Sequence, residues 1–266
     1  MNETMDPPHT SVTISDDVCT IALNRPDKRN SISVQMLDGI DAGLEHALAQ
    51  SARVVVIRGS GGNFCAGADL SYVSGLLDQT PERFEAEFLP RVQSTMNRIE
   101  DCTLPVIAAV EGYCLAGGFE LALCCDIVVA ARTAQMGDGH SVYGFLPGSG
   151  GAYRLARKVG TNNAKFLAFT GDPVPAAEMA AMGVVSQIFD AAEFDTGVAS
   201  LARKLTRRSP LGLRRMKGMI DSAPSSDRAA GLRAERLASA AHVGSHDMKE
   251  GLAAFREKRT PRFQGR

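Results

Sequence analysis

Three short apolar runs constrain this chain more than any other feature: RVVVIR at 53–58, LPVIAAV at 104–110 and DIVVAA at 126–131. Each is rich in β-branched residues, lacks polar alternation and is too short for a core helix, so each reads as a strand buried on both faces. Between the second and third lies a segment that turns helical at Gly118. Strand, helix and strand in succession require a parallel sheet. Ahead of them, VTIS and VCTIALN flank Asp16-Asp17 with period-two alternation, a β-hairpin. Ser33 is placed to cap a helix with Leu37, Ile40, Leu44 and Leu48 on one stripe. Pro81 opens a further helix that Pro90 kinks, and GVVSQIF near Val185 is the last strand. Beyond Asp190 the pattern is helical throughout. The expected class is α/β: residues 1–10 a loose polar tail, 11–190 an α/β body, and 191–266 an all-helical region.

A chain of 266 residues suits one large domain, or one domain with an extension. Its net charge of −1 hides an asymmetry, because residues 201–266 carry 16 Lys/Arg against 6 Asp/Glu. Those cations are spread over amphipathic helices without interleaved aromatics, which argues against a nucleic-acid partner and for a helical face docked on an acidic body. No apolar run approaches the ~18 residues of a membrane span, and MNETMDPPHT lacks the apolar core of a signal peptide. The six cysteines show no CxxC spacing and read as small buried residues of a reducing cytoplasm. GSGG after the first buried run fails as a dinucleotide fingerprint at Phe64, and PGSGG fails at Tyr153. There is no Walker lysine and no HExxH. His242 and His246 have helical spacing but lack an evident third ligand, so no metal is expected.

Two glycine-containing stretches remain. GNFCAGADL (62–70) directly follows a buried strand, where ligands gather in parallel sheets. Its small residues Ala66, Gly67 and Ala68 allow close approach to the backbone and leave amides free to donate. In EGYCLAGGFELALCCDI (111–127), Gly117 and Gly118 lead from a strand into a helix whose first amides have no internal partner. An anionic oxygen would be stabilised there by those amides and by the helix dipole. Glu120, three residues on, either acts as a base beside that oxygen or caps the helix electrostatically.

Taken together, these stretches resemble the enoyl-CoA hydratase/isomerase (crotonase) superfamily over nearly the whole chain. NRPDKRNSIS (24–33) resembles its first CoA-contacting loop, which carries Lys28 and Arg29. GNFCAGADL resembles the loop that supplies one oxyanion amide, here Ala68, with Ala66, Gly67, Asp69 and Leu70 beside the substrate. GYCLAGGFELALCCDI resembles the segment giving the second amide, Gly117, and the first catalytic glutamate, Glu120. LPGSGGAYRLARKVG and the closing EGLAAFREKR are of the family type too. The resemblance implies a spiral of ββα turns whose C-terminal helices build trimers, usually paired as hexamers. It further implies a CoA thioester as substrate, with no separate cofactor, and contact between Lys258 and the CoA phosphates.

One position departs from the pattern. Where hydratases of this family carry a second glutamate, this chain has His140, two residues after Asp138. The imidazole either handles a proton in that glutamate's place or is a structural residue in a relative whose activity has shifted or lapsed. Hydration of a 2-enoyl-CoA is the leading expectation. Double-bond isomerisation, C–C hydrolysis of a β-dicarbonyl CoA ester, and acyl-CoA binding without turnover are the alternatives.

Overall fold

In a computed structural model that describes residues 3–266, the three apolar runs become β4 (Val54–Gly59), β5 (Val106–Val110) and β7 (Ile127–Ala131). They lie side by side in parallel at the centre of a seven-stranded sheet. One edge is antiparallel: β1 (Glu3–Met5) pairs with β2 (Thr10–Ser15), and β2 forms the hairpin with β3 (Val18–Leu23). Strand β10 (Gln187–Phe189) closes the other edge against β7.

The apolar runs lack alternation because both faces of the sheet are covered. Val55 and Ile57 of β4 face the main core, whereas Val54 and Val56 face a second core with Phe194, Val198 and Ala202. Those last three belong to helix α8 (Phe194–Thr206). The first face is covered by α1 (Val34–Ala49), whose N-terminus is capped by Ser33 accepting from the Met36 amide. The stripe on α1 is shorter than expected: Leu37, Ile40 and Leu44 are buried, but Leu48, in the last turn, lies half exposed.

After β4 come α2 (Leu70–Gln79), α3 (Pro81–Arg83), a π-helical turn (Phe84–Phe88) and α4 (Leu89–Glu100). The π turn takes up the break expected at Pro90, and the proline sits in the first turn of α4, where it needs no donor. Strand β6 (Tyr113–Leu115), helix α5 (Gly117–Leu123) and strand β8 (Gln135–Gly137) follow. Next are α6 (Gly151–Thr170), broken at Gly160, β9 (Val174–Pro175) and α7 (Ala176–Ala181). β6, β8 and β9 form a second, three-stranded sheet. The repeated passage between two sheets and a helix is the ββα spiral that the resemblance implied.

Two boundaries differ from the sequence reading. The stretch 1–10 contains a paired strand at Glu3–Met5, because its backbone extends the antiparallel edge beyond β2 and Met5 packs against the main core. The helical region departs from the body later than residue 191, since α8 covers the second face of the sheet. Beyond it, α9 (Pro210–Ser222), α10 (Arg228–Val243) and α11 (His246–Glu257) project from the body, and α10 buries none of its residues. The last residues fold back: Asp247 accepts the amides of Gln264 and Gly265, and Arg53 donates to the Phe263 carbonyl. All six cysteines are free and buried, and burial pushes the Cys19, Cys65 and Cys124 thiols up to about 12.

Candidate active site

Asn30 ties together the two loops from which the site begins. Fully buried, it donates to the carbonyls of Ser60 and Asn63 and accepts the Arg25 amide, tying the 25–30 loop to the segment after β4. That segment then runs past Ile32. Ile32 donates to the Gly67 carbonyl and accepts from the Asp69 amide, an isolated parallel bridge opposite Ala68. Along an extended segment successive amides point to opposite sides, so the Ala68 N–H is directed away from Ile32. It has no protein acceptor among the described residues.

Helix α5 arrives beside it. Gly118 has to be a glycine, since a Cβ there would lie 2.2 Å from the Cys65 carbonyl oxygen. Ala116, at φ +48°, turns the chain sharply into the helix. Gly117 is the first residue of α5, and its amide likewise has no protein acceptor among the described residues. The two segments are in contact: a Cβ on Gly117 would lie 3.5 Å from Ala68 N, and one on Gly67 would lie 3.5 Å from Gly117 N. Two unbonded amides and a helix N-terminus therefore converge, an arrangement suited to a developing oxyanion.

One turn into α5, Glu120 is 3% exposed. Its Oε1 accepts the amides of Ser149, at 3.0 Å, and Gly151, at 2.8 Å. Oε2 is left facing His140 Nε2 at 3.9 Å. The loop that holds Oε1 is itself clamped: buried Arg154 donates to the Ser149 carbonyl, to Asn97 and twice to Glu100. On the opposite side, Asp138 is buried and its Oδ1 accepts both the His140 amide, at 3.2 Å, and His140 Nδ1–H, at 2.9 Å. Gly139, at φ +68°, makes the turn between them and packs beside the Ala116 amide.

Burial pushes the Glu120 carboxyl above its ordinary 4.5, against the opposing pull of His140 and of the two amides. Burial alone would lower the His140 imidazole from 6.5. The hydrogen bond and charge of Asp138, then the charge of Glu120, outweigh it and hold the ring above its ordinary value.

Glu120 thus faces His140, Gly67 and Ala68 lie against Gly117 at the start of the same helix, and Ala66 donates its amide to the Arg29 carbonyl. Asp69 accepts the Ser71 and Tyr72 amides as the cap of α2 and pairs with Arg25 at 2.8 Å, so its carboxylate is already engaged. Leu70 is half exposed on the first turn of α2. Lys28 and Arg29 are exposed on the 25–30 loop, with the Arg29 guanidinium over the Tyr113 ring. Lys258 is exposed at the end of α11 in a left-handed conformation. The two histidines weighed as a metal pair are apart in role: His242 contacts Arg215, and His246 lies beside Asp247. Ser149, Gly151 and Arg154 were missed as site residues. The first two act through backbone amides, and the only sequence signal was the glycine run PGSGG.

The sequence matches the model of the enoyl-CoA hydratase/isomerase family over residues 13–266. It is 38% identical over 260 residues to the mitochondrial enoyl-CoA hydratase domain-containing protein 2 of Bos taurus, covering 93% of this chain and 84% of that one. It is 35% identical over 254 residues to the 2,3-dehydroadipyl-CoA hydratase of Escherichia coli K12, covering 94% and 96%. Among solved structures, an enoyl-CoA hydratase from Bacillus anthracis superposes with a TM-score of 0.92 at 33% identity, covering 97% of this chain and all of that one.

Proposed function

We propose, from the premise that this chain belongs to the enoyl-CoA hydratase/isomerase (crotonase) family, that it adds water across the double bond of a 2-enoyl-CoA. The observation that carries this reading is a pair of neighbouring unbonded amides at the start of α5 together with, one turn along the same helix, a carboxylate that faces an imidazole across a 3.9 Å gap. The thioester oxygen is received by the Ala68 and Gly117 amides, which stabilise the enolate charge as it develops. A water molecule lies between Glu120 Oε2 and His140 Nε2. Glu120 takes one of its protons while the oxygen bonds to C3 of the acyl group. His140 delivers a proton to C2, and the proton held by Glu120 then returns to the imidazole. The net change is addition of one water, giving a 3-hydroxyacyl-CoA.

Lys28, Arg29 and Lys258 are the cations proposed to meet the CoA phosphates. The three projecting helices are proposed to build a trimer, or a hexamer from two trimers. No helix among the described residues is long and apolar enough to cross a membrane. The cytoplasm is proposed as the compartment on the six reduced thiols, although the Bos taurus relative is named as mitochondrial.

The experiment is a product analysis with crotonyl-CoA, a 3-enoyl-CoA and a β-dicarbonyl CoA ester. Water addition to the first supports hydration, while turnover of only the second or third assigns isomerisation or C–C hydrolysis, chemistry that an imidazole also serves. Tight binding of all three without turnover leaves a binding protein. Glu120→Gln and His140→Gln should each lower kcat by ~10²–10⁴-fold with little change in acyl-CoA affinity.

A further inference from the structure

Each nitrogen of the His140 ring faces a carboxylate. Nδ1 is 2.9 Å from Asp138 Oδ1, and Nε2 is 3.9 Å from Glu120 Oε2. Asp138 is almost completely buried and its Oδ1 also accepts the His140 amide, so carboxylate and ring are fixed to one another by two bonds across a single glycine. An ionised carboxylate can only accept, which places a proton on Nδ1. A neutral ring would then turn an Nε2 lone pair toward the Glu120 carboxylate, an unfavourable meeting of two acceptors. A second proton on Nε2 removes it.

We propose that Asp138 is a positioning residue that holds His140 as an imidazolium in the resting enzyme, with Nε2–H directed into the gap before Glu120. The centre is then a line of carboxylate, imidazolium and carboxylate. It carries one net negative charge, the same as a pair of carboxyl groups sharing a single proton. Asp138 and His140 together act as a neutral proton donor, and the ring is loaded before substrate arrives.

The groups that face the ring are Asp138 from its own turn and Glu120 from α5. The loop before α6, and its first residue, present neutral amides to Glu120. Arg154 of α6 is turned to Glu100, Asn97 and the Ser149 carbonyl. The proposal rests on the hydration reading for the destination of the proton, but not for the state of the ring.

The test is a ¹⁵N–¹H titration of histidine-labelled protein, with His140→Gln identifying the His140 signals. Both His140 nitrogens should show protonated shifts at neutral pH. In Asp138→Asn, which keeps an acceptor for Nδ1–H but removes the charge, the midpoint should fall by about 1–3 pH units. The alkaline limb of kcat should move down with it while KM stays near that of the wild type, a change that a merely structural role would not produce. A wild-type ring that is neutral at pH 7, or an unchanged midpoint in a folded Asp138→Asn protein, overturns the proposal. The wild-type titration decides by itself if the variant does not fold. An imidazolium in a protein that hydrates no enoyl-CoA would sink the hydration reading and leave the proposal standing.

Discussion

Gly151 donates its amide to Glu120 Oε1 at 2.8 Å, and a Cβ on Gly151 would come within 2.7 Å of that same oxygen. The hydrogen bond and the missing side chain are one requirement: the α6 N-terminus has to approach the carboxylate this closely to fix it. Gly151→Ala should push the Glu120 carboxylate off its two amides. Misplacement of a reacting group by about an ångström costs on the order of 10²-fold, so kcat should fall ~10–100-fold with KM little changed. A well-folded Gly151→Ala protein with wild-type kcat would mean that Glu120 is not the base.

Arg154 acts one layer further out. It bonds the Ser149 carbonyl, the Asn97 side chain and the Glu100 carboxylate. Arg154→Met keeps much of the volume and removes the donors. Because Glu100 is partly exposed and can be rehydrated, the stability loss should be about 1–3 kcal/mol, short of that for a fully buried pair. The released loop should also lower kcat. Denaturant unfolding reads the first effect and initial rates the second; a loss of stability without a loss of rate would make the clamp structural only.

These two positions also mark where the sequence stopped being legible. The hairpin, the buried strands, the Ser33 cap and the Glu120 helix were readable because side-chain pattern encodes them. The second sheet was not, since β6, β8 and β9 span only two or three residues each, too few to display a period. Ser149 and Gly151 contribute main-chain N–H groups, which no side chain announces. Arg154 lies in LPGSGGAYRLARKVG, a stretch that carried the family resemblance without marking any of its residues for a role. His140 could be singled out by resemblance alone, and its bonds to Asp138 depend on a left-handed Gly139 that only coordinates reveal.

The rate should follow a bell in pH. Glu120 has to be ionised to accept a proton, and burial raises its pKa above 4.5, so the acid limb should lie above the ordinary glutamate range. His140 has to be protonated to donate, and Asp138 and Glu120 hold its pKa above 6.5 against burial, so activity should be lost on raising the pH through that higher value. Both limbs belong to the coupled pair. His140→Gln should abolish the alkaline limb as well as most of the rate. If kcat in the wild type stays flat well into alkaline pH, the imidazolium is not the donor.

The projecting helices carry apolar residues with nothing to cover them: Ile220 of α9, Leu237 of α10 and Phe255 of α11 are 69%, 57% and 83% exposed. A helix such as α10 with no buried residue gains little by folding alone. Light scattering should therefore report a trimer or hexamer at micromolar concentration. Leu237→Glu combined with Ile220→Glu should shift the distribution to smaller species. A stable monomer of the unmodified chain would refute this assembly.

The proposed oxyanion hole can be tested by removing a single hydrogen. Gly117 is a difficult place to do so, because it follows Ala116 at φ +48°, and a proline restricts the residue before it to extended conformations. Ala68 is better placed. It follows Gly67, which lacks the Cβ that a following proline would crowd, and its own amide bonds no protein group among the described residues, so proline there breaks no internal hydrogen bond. The Ile32 bridge, made through the Gly67 carbonyl and the Asp69 amide, should survive. Loss of one oxyanion donor costs about 10²–10³-fold in kcat, and the ring atoms of proline would also occupy the space where the thioester oxygen should lie. Ala68→Pro is therefore expected to unfold near the wild-type temperature and to lose at least that much activity, whereas Ala68→Gly, which keeps the amide, should retain most of it. Wild-type turnover in Ala68→Pro would show that the thioester carbonyl is held elsewhere.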